Sequence, residues 1–257
     1  QIDVVKEHIN DNFKIYYGSI LDESSLREAI RGCDGVIHLA AYLGVRRTEI
    51  NSLRCLDINI NGTKKVLDAA IHAGIQKVIL ASSSEVYGEP LKNPIHEEDI
   101  TQGKTVYAVS KLAGEELVKA YHAEFETLNY TILRYFNTYG PYQIAQFVIP
   151  KFIRNVLNDK PPVIYGDGRQ ERSYNFSEDT ARGTVDALFS QEANNTTMNI
   201  GNSNALISLK DLGELVIKLC GKQDNMKINI KNTFENTDRD ESREIFQRYC
   251  STDKAKT

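Results

Sequence analysis

The 257-residue sequence has no tryptophan, two methionines and four cysteines, Cys33, Cys55, Cys220 and Cys250, none of them in a Cys-x-x-Cys pair. Its five histidines do not cluster with the cysteines, so the ligand spacing of a structural zinc site is missing and no metal is expected. So few cysteines in so long a chain exclude a disulfide framework, and a reducing cytoplasmic compartment is expected. No apolar run approaches the ~18 residues of a membrane span and no secretory leader is recognisable, so no membrane partner is expected. An excess of positive charge is also lacking: 31 Lys and Arg stand against 35 Asp and Glu, a net charge of −4. That balance argues against a general nucleic-acid binder, which shows a basic face, but leaves room for a nucleotide held by a local cluster of donors. Apolar residues at 41% and charged residues at 26% are globular proportions, which excludes disorder as the main state.

What is present is an alternation of short apolar runs and longer helical stretches. Residues 13–17 (Phe-Lys-Ile-Tyr-Tyr) read as a strand ending at Gly18, and Asp22 as the N-cap of a helix over 24–29. Gly35 to Ala41 and Lys77 to Ser82 are apolar and too short for helices, so they read as buried strands. Asn61 to Ala73 reads as a helix stopped by Gly74, Tyr107 to Phe125 as a long helix, and Tyr130 to Tyr135 as a further strand. Continuous apolar strands alternating with helices imply an α/β fold with a doubly wound parallel sheet, covered on both faces. Ligands of such sheets lie at the carboxyl ends of the strands. After Pro141 strands become sparse, and residues 142–257 read as a smaller, irregular α+β part that completes a cleft, with some elements returning to the first domain, 1–141.

Tyr107 and Lys111 share one helix face at i and i+4. An ammonium beside a phenol favours the phenolate, and such a Tyr takes a proton from a hydroxyl substrate. The spacing alone also fits an ordinary surface pair. The Ser82-Ser83-Ser84 run at a strand end, 24 residues before Tyr107, makes the combination much rarer, because a serine hydroxyl there shares the substrate hydroxyl with Tyr107.

The residues from Val36 to Ala41, Asn59 to Thr63, Ala81 to Gly88, Tyr107-x-x-x-Lys111, Arg134 to Pro141, Val163 to Gly168 and Arg172 to Asp179 together resemble the extended short-chain dehydrogenase/reductases, specifically the NAD-dependent nucleotide-sugar epimerases and dehydratases. The resemblance implies a Rossmann-like fold with NAD as cofactor. It implies Tyr107 as base, Lys111 as its partner, and Ser83 and Glu85 as further catalytic groups. Ile20, Leu39, Ala40, Ala41, Asn59, Ala81 and Tyr135 would join Tyr107 and Lys111 in the cofactor site, Asn59 by bracing it. Ser84, Asn137, Val148, Val163, Tyr165, Arg172 and Arg243 would bind the nucleotide sugar, most simply a UDP-sugar. Tyr165 is suited to stacking on the base and Arg172 to pairing with the diphosphate. Arg248 is the other candidate for the family's late phosphate-binding arginine. A homodimer through the helices around 57–73 and 106–126 is implied by the same resemblance.

Three departures follow. The family's opening Gly-x-x-Gly-x-x-Gly turn, which holds the pyrophosphate at a helix N-terminus, is not in the sequence. The chain, which starts at Gln1, is therefore expected to be a fragment, lacking the first βαβ unit of the sheet, also incomplete at its end, and weakened in NAD affinity. Ser19 stands where the family has an Asp for the adenine amino group. Ser84-Glu85 stands where the 4,6-dehydratases have Asp-Glu, and a serine is no acid at neutral pH, so dehydration is disfavoured. The expected activity is 4-epimerisation by transient oxidation at sugar C4. The alternatives are decarboxylation of a UDP-uronate, or a non-catalytic chain that binds a sugar nucleotide.

Overall fold

The computed structural model describes residues 13–231 and 245–256. In chain order, α1 (Glu23–Ile30) leads to β1 (Gly35–His38), then two short helices, α2 (Val45–Ile50) and α3 (Ser52–Leu56). A π-helical turn (Asp57–Asn61) runs into α4 (Gly62–Ala73), followed by β2 (Lys77–Ser83), a 3-10 turn (Ser84–Tyr87), α5 (Val106–Glu124) and β3 (Asn129–Tyr135). The later part comprises β4 (Thr138–Tyr139), α6 (Val148–Leu157), β5 (Val163–Tyr165), β6 (Glu171–Ser173), β7 (Asn175–Phe176), α7 (Ser177–Phe189), β8 (Thr196–Ile200), β9 (Leu206–Ser208), α8 (Leu209–Leu219), β10 (Asn229–Lys231), β11 (Gln247–Arg248) and α9 (Asp253–Lys256).

The main sheet is β1-β2-β3-β8, parallel throughout. Its central strands are apolar on both faces because successive side chains point to opposite sides. Val78 and Leu80 of β2 and Ile132 of β3 join Leu26, Val66, Leu67 and Val118 from α1, α4 and α5 in one core. Ile79 and Leu133, one residue out of phase, join Ala187 of α7 and Ile200 of β8 in the core of the other face. This is the doubly wound arrangement expected. Helix ends follow their chemistry: Asp22 accepts from the Ser24 amide as the N-cap of α1, and Gly74 ends α4 in the left-handed region at φ 71°.

A separate core holds the later part together, formed by Phe152 and Val156 of α6, Ile164 of β5, and Leu209, Leu212 and Val216 of α8. Two small sheets, β10-β5 and β11-β6-β9, lie in this region. No helix among the described residues is long and apolar enough to cross a membrane.

The structure differs from the sequence expectations at two places. Residues 13–17 form no strand; they have no ladder partner among the described residues, and Tyr16 and Tyr17 are exposed. A β-rich run is a strand only where a neighbour takes its backbone donors and acceptors. The strand over 35–41 ends at His38, and Leu39 and Ala40 are exposed beyond it. The later part mixes helices α6, α7 and α8 with short strands, the α+β composition expected.

Candidate active site

Three consecutive residues at the carboxyl end of β2, Ala81, Ser82 and Ser83, face one stripe of α5. The helix starts at Thr105, whose hydroxyl accepts from the Ala108 amide at 3.1 Å, so Tyr107 lies in the first turn. Lys111 lies one turn further on, 7% exposed, and its ammonium donates to the Ala81 carbonyl at 2.8 Å. That ammonium is 5.8 Å from the centre of the Tyr107 ring. Burial holds Lys111 down to about 8, against the pull of Cys55 and Glu115.

Tyr107 does not behave as the spacing suggested. Its phenol is pushed well above the usual range, first by burial and then by the Glu85 carboxylate, while the Ser83 hydroxyl pulls the other way. Burial outweighs the neighbouring groups here, and the Lys111 ammonium donates to the Ala81 carbonyl. Ser83 also accepts from the Glu85 amide at 3.2 Å, which caps the 3-10 turn and brings Glu85 back toward Tyr107. Ser84 is buried at the start of that turn.

Behind α5, Asn59 in the π-helical turn accepts from the Tyr42 amide at 2.7 Å and donates to Ser110 Oγ at 2.9 Å and the Tyr42 carbonyl at 3.1 Å. Its amide is spent on protein atoms, so it ties the loop after β1 to the helix that carries Tyr107. His38, at the end of β1, contacts Thr63 Oγ1 at 3.0 Å, and burial lowers its imidazole to about 4. Tyr135, at the end of β3, shares a 2.7 Å hydrogen bond with Thr184, and burial raises its phenol. Leu39, Ala40 and Ala41 continue from the end of β1, and Ala81 is buried within β2. Ile20 packs against the core next to α4. No group of three or more His, Cys, Asp and Glu that could hold a metal occurs among the described residues.

Residues 3–201 match the model of the NAD dependent epimerase/dehydratase family. The chain belongs to this family. It is 37% identical over 206 residues to a UDP-N-acetyl-alpha-D-glucosaminuronate decarboxylase of Bacillus cytotoxicus, covering 77% of this chain and 63% of that protein. It is 33% identical over 217 residues to a UDP-glucuronate 4-epimerase of Thermodesulfobacterium geofontis, covering 83% of this chain and 66% of that one. Among solved structures, the UDP-glucuronic acid 4-epimerase from Bacillus cereus in complex with UDP-glucuronic acid and NAD superimposes with a TM-score of 0.86 at 31% identity, over 98% of this chain and 77% of that one. The chain thus spans just under two thirds of the length of these two curated relatives.

The family is one of NAD-dependent enzymes with a Rossmann-like fold. The chemistry of the residues present is compatible with such a cofactor: Leu39 and Ala40 are exposed beyond the carboxyl end of β1, and Lys111 and Ser83 are polar groups at the carboxyl end of the neighbouring strand β2. The family's Gly-rich pyrophosphate turn has no counterpart in the sequence.

The nucleotide-sugar candidates lie after β3. Asn137 Oδ1 is buried without a hydrogen-bond partner, an acceptor of the kind that calls for a ligand or water. Val148 opens α6, and Val163 and Tyr165 are the half-buried ends of β5. The Arg172 guanidinium donates to the carbonyls of Glu171 at 2.7 Å, Ile245 at 2.6 Å and Phe246 at 3.3 Å. Arg243 lies outside the described residues. Arg248 is buried and stands directly opposite Arg172 in the β11–β6 ladder. Sequence reasoning named Arg248 without its register, because β11 and β6 are too short to be read from a pattern. It named Ser82 in the serine run and Arg134 in a matching motif without giving either a role, and it missed Glu115. The signal was there: an arginine inside the apolar run of β3, and a glutamate four residues after Lys111.

Proposed function

We propose that this chain serves an NAD-dependent nucleotide-sugar 4-epimerase. The observation that carries the reading is the convergence of Tyr107 and Ser83 at the end of β2, backed by Lys111, with a buried serine and no acid at position 84. NAD, when bound, supplies a reversible hydride acceptor, which is what makes C4 of a sugar reactive. Leu39, Ala40 and Ala41 would line its ribose-phosphate path, Tyr135 would pack by the nicotinamide, and Ile20 and Ala81 would complete the cofactor site. Lys111 offers donors to ribose hydroxyls, and Asn59 holds the loop in place.

The Tyr107 phenol oxygen holds and moves the proton of the sugar 4-hydroxyl, with Ser83 sharing that hydroxyl and orienting it. In the unliganded site burial keeps the phenol protonated, so it accepts a proton only when further positive charge offsets that burial. Glu85 takes a sugar hydroxyl or acts at C5. Ser84 and Asn137 contact the sugar nucleotide, Val148, Val163 and Tyr165 hold the base, and Arg172 exchanges its backbone carbonyls for the diphosphate. Arg243 is the further candidate for that diphosphate. In this reading residues 1–141 carry the cofactor and 142–257 mainly the substrate, a UDP-sugar. A homodimer through α4 and α5 is part of the same proposal, as is a reducing cytoplasmic setting for four unpaired cysteines.

The second reading is decarboxylation of a UDP-uronate, supported by the 37% identity to a UDP-N-acetyl-glucosaminuronate decarboxylase. Both are tested by incubating the chain with NAD and UDP-glucose, UDP-N-acetylglucosamine or UDP-glucuronate under NMR. A C4 epimer is the expected product. Tyr107→Phe should lower its rate about 10²–10⁴-fold, the range of general acid–base catalysis. Release of CO2 from the uronate moves the assignment to decarboxylation. Binding of a UDP-sugar with no turnover moves it to a non-catalytic chain.

A further inference from the structure

The proton-handling reading leaves one costly feature of the site unused. Tyr107, Lys111 and Glu115 are spaced by four on α5 and form one stripe of the helix. Each meets one of three consecutive residues of β2: Tyr107 interacts with Ser83, the Lys111 ammonium donates to the Ala81 carbonyl at 2.8 Å, and the Ser82 hydroxyl donates to Glu115 at 2.5 Å. Glu115 is 1% exposed and is gripped by Arg134 of β3, Nε to Oε1 at 3.0 Å and NH2 to Oε2 at 2.7 Å. The remaining Arg134 nitrogen donates to the Tyr87 hydroxyl and the Glu97 carbonyl, both at 2.9 Å. The guanidinium is therefore fixed at both ends. A buried ion pair is commonly no more stabilising than apolar residues of the same volume. Stability alone does not account for this one.

We propose that Glu115 is a positioning residue for Tyr107 and Lys111: clamped by Arg134 and Ser82, it sets the register of α5 on the end of β2 and places a carboxylate on the same helix stripe as Lys111. The proposal rests on the reading of Tyr107 and Lys111 as the proton-handling pair. Groups act on Lys111 from every element packed around it. They are Tyr107 and Glu115 on α5, the Ala81 carbonyl on β2, Cys55 on α3 and His38 on β1, with Arg134 of β3 behind Glu115. His38, lowered to about 4, is neutral at pH 7, and burial raises the Cys55 thiol so that it is neutral as well. That leaves the Glu115 carboxylate, in its ion pair with Arg134 at 2.7 Å, as the acidic partner on the Lys111 stripe.

The test is the titration of Lys111 in the intact chain, followed by NMR of lysine labelled with 13C at Cε, with the resonance assigned by its loss in Lys111→Met. Two neutral replacements of the pair, Glu115→Gln/Arg134→Gln and Glu115→Leu/Arg134→Met, avoid leaving a buried charge unpaired, and thermal melts identify which is folded. In a folded neutral variant the Lys111 midpoint should fall below that of wild type, because the Glu115 carboxylate raises it. Glu115→Asp, which keeps the charge one methylene further back, should fall in between. If both neutral pairs lose a cooperative melt, Glu115→Asp decides alone, and its midpoint must still drop by a few tenths. A Lys111 midpoint equal to wild type in every folded variant overturns the proposal and leaves the pair a purely structural element. The readout needs no turnover, so it stands apart from the fate of the epimerase reading, which Tyr107→Phe tests.

Discussion

At the scale of single residues, the site is a set of ionisable groups whose charge is decided by burial. Tyr107 rises and Lys111 falls for the same reason, that each is buried where its charged form loses water. The sequence supplied the partners and their spacing. It did not supply the direction in which the Lys111 ammonium points, because that depends on a carbonyl of β2 contributed 30 residues away. His38 shows the consequence for pH. Its imidazole titrates near 6.5 when unfolded and about 4 when folded, so between those values the unfolded chain binds more protons. Stability is then fully present above pH 6.5 and is lost as pH falls toward 4, by about 3 kcal/mol in total. Urea melts of wild type and His38→Gln across this range should show the acid slope in the first and its loss in the second. Equal slopes would assign the imidazole another state.

At the scale of elements, the boundaries of the helices that frame the site follow local chemistry. Thr105 starts α5 two residues before Tyr107, and its hydroxyl takes the Ala108 amide. Thr105→Ala should cost about 1 kcal/mol, the usual worth of an N-cap, and should also lower turnover because the first turn carries Tyr107. Gly74→Ala is the control. A Cβ there meets nothing within 4 Å, so its cost of about 1–2 kcal/mol comes from the left-handed backbone alone, far from the site, and turnover should be unchanged. Denaturant melts alongside rate measurements separate the two. Helix α4, α5 and the central strands were legible for this reason. Residues 13–17 were misread because strand character there needs a neighbour that the segment's own composition does not supply. Strands β6, β9 and β11 escaped because two or three residues carry no periodicity.

At the scale of the whole molecule, the two parts of the chain are not independent in the sheet. Strand β8 pairs with β3 from Thr131 to Tyr135, and Ala187 of α7 packs on Ile79 and Leu133. Asn199 Oδ1 of β8 accepts from the Tyr87 hydroxyl at 2.7 Å, and the Asn199 backbone amide donates to Glu97 Oε1 at 2.7 Å. A chain cut after residue 141 therefore loses the cover of one sheet face. It should lack a cooperative thermal transition and bind dyes specific for exposed apolar surface, whereas the full chain should melt cooperatively. A cooperative melt of the 1–141 piece would show that the first part folds without α7 and β8.

By itself the sequence determined the class of fold, the order of its central elements and the stripe of α5 that bears Tyr107 and Lys111, because these rest on periodicity and capping within a dozen or so residues. The tertiary structure alone decided which groups meet across that distance. It set Lys111 on Ala81, Ser82 on Glu115, Arg134 on Glu115 and Arg248 opposite Arg172. Each of these joins residues that only the pairing of separate strands and helices brings together, and burial then sets the charge they carry.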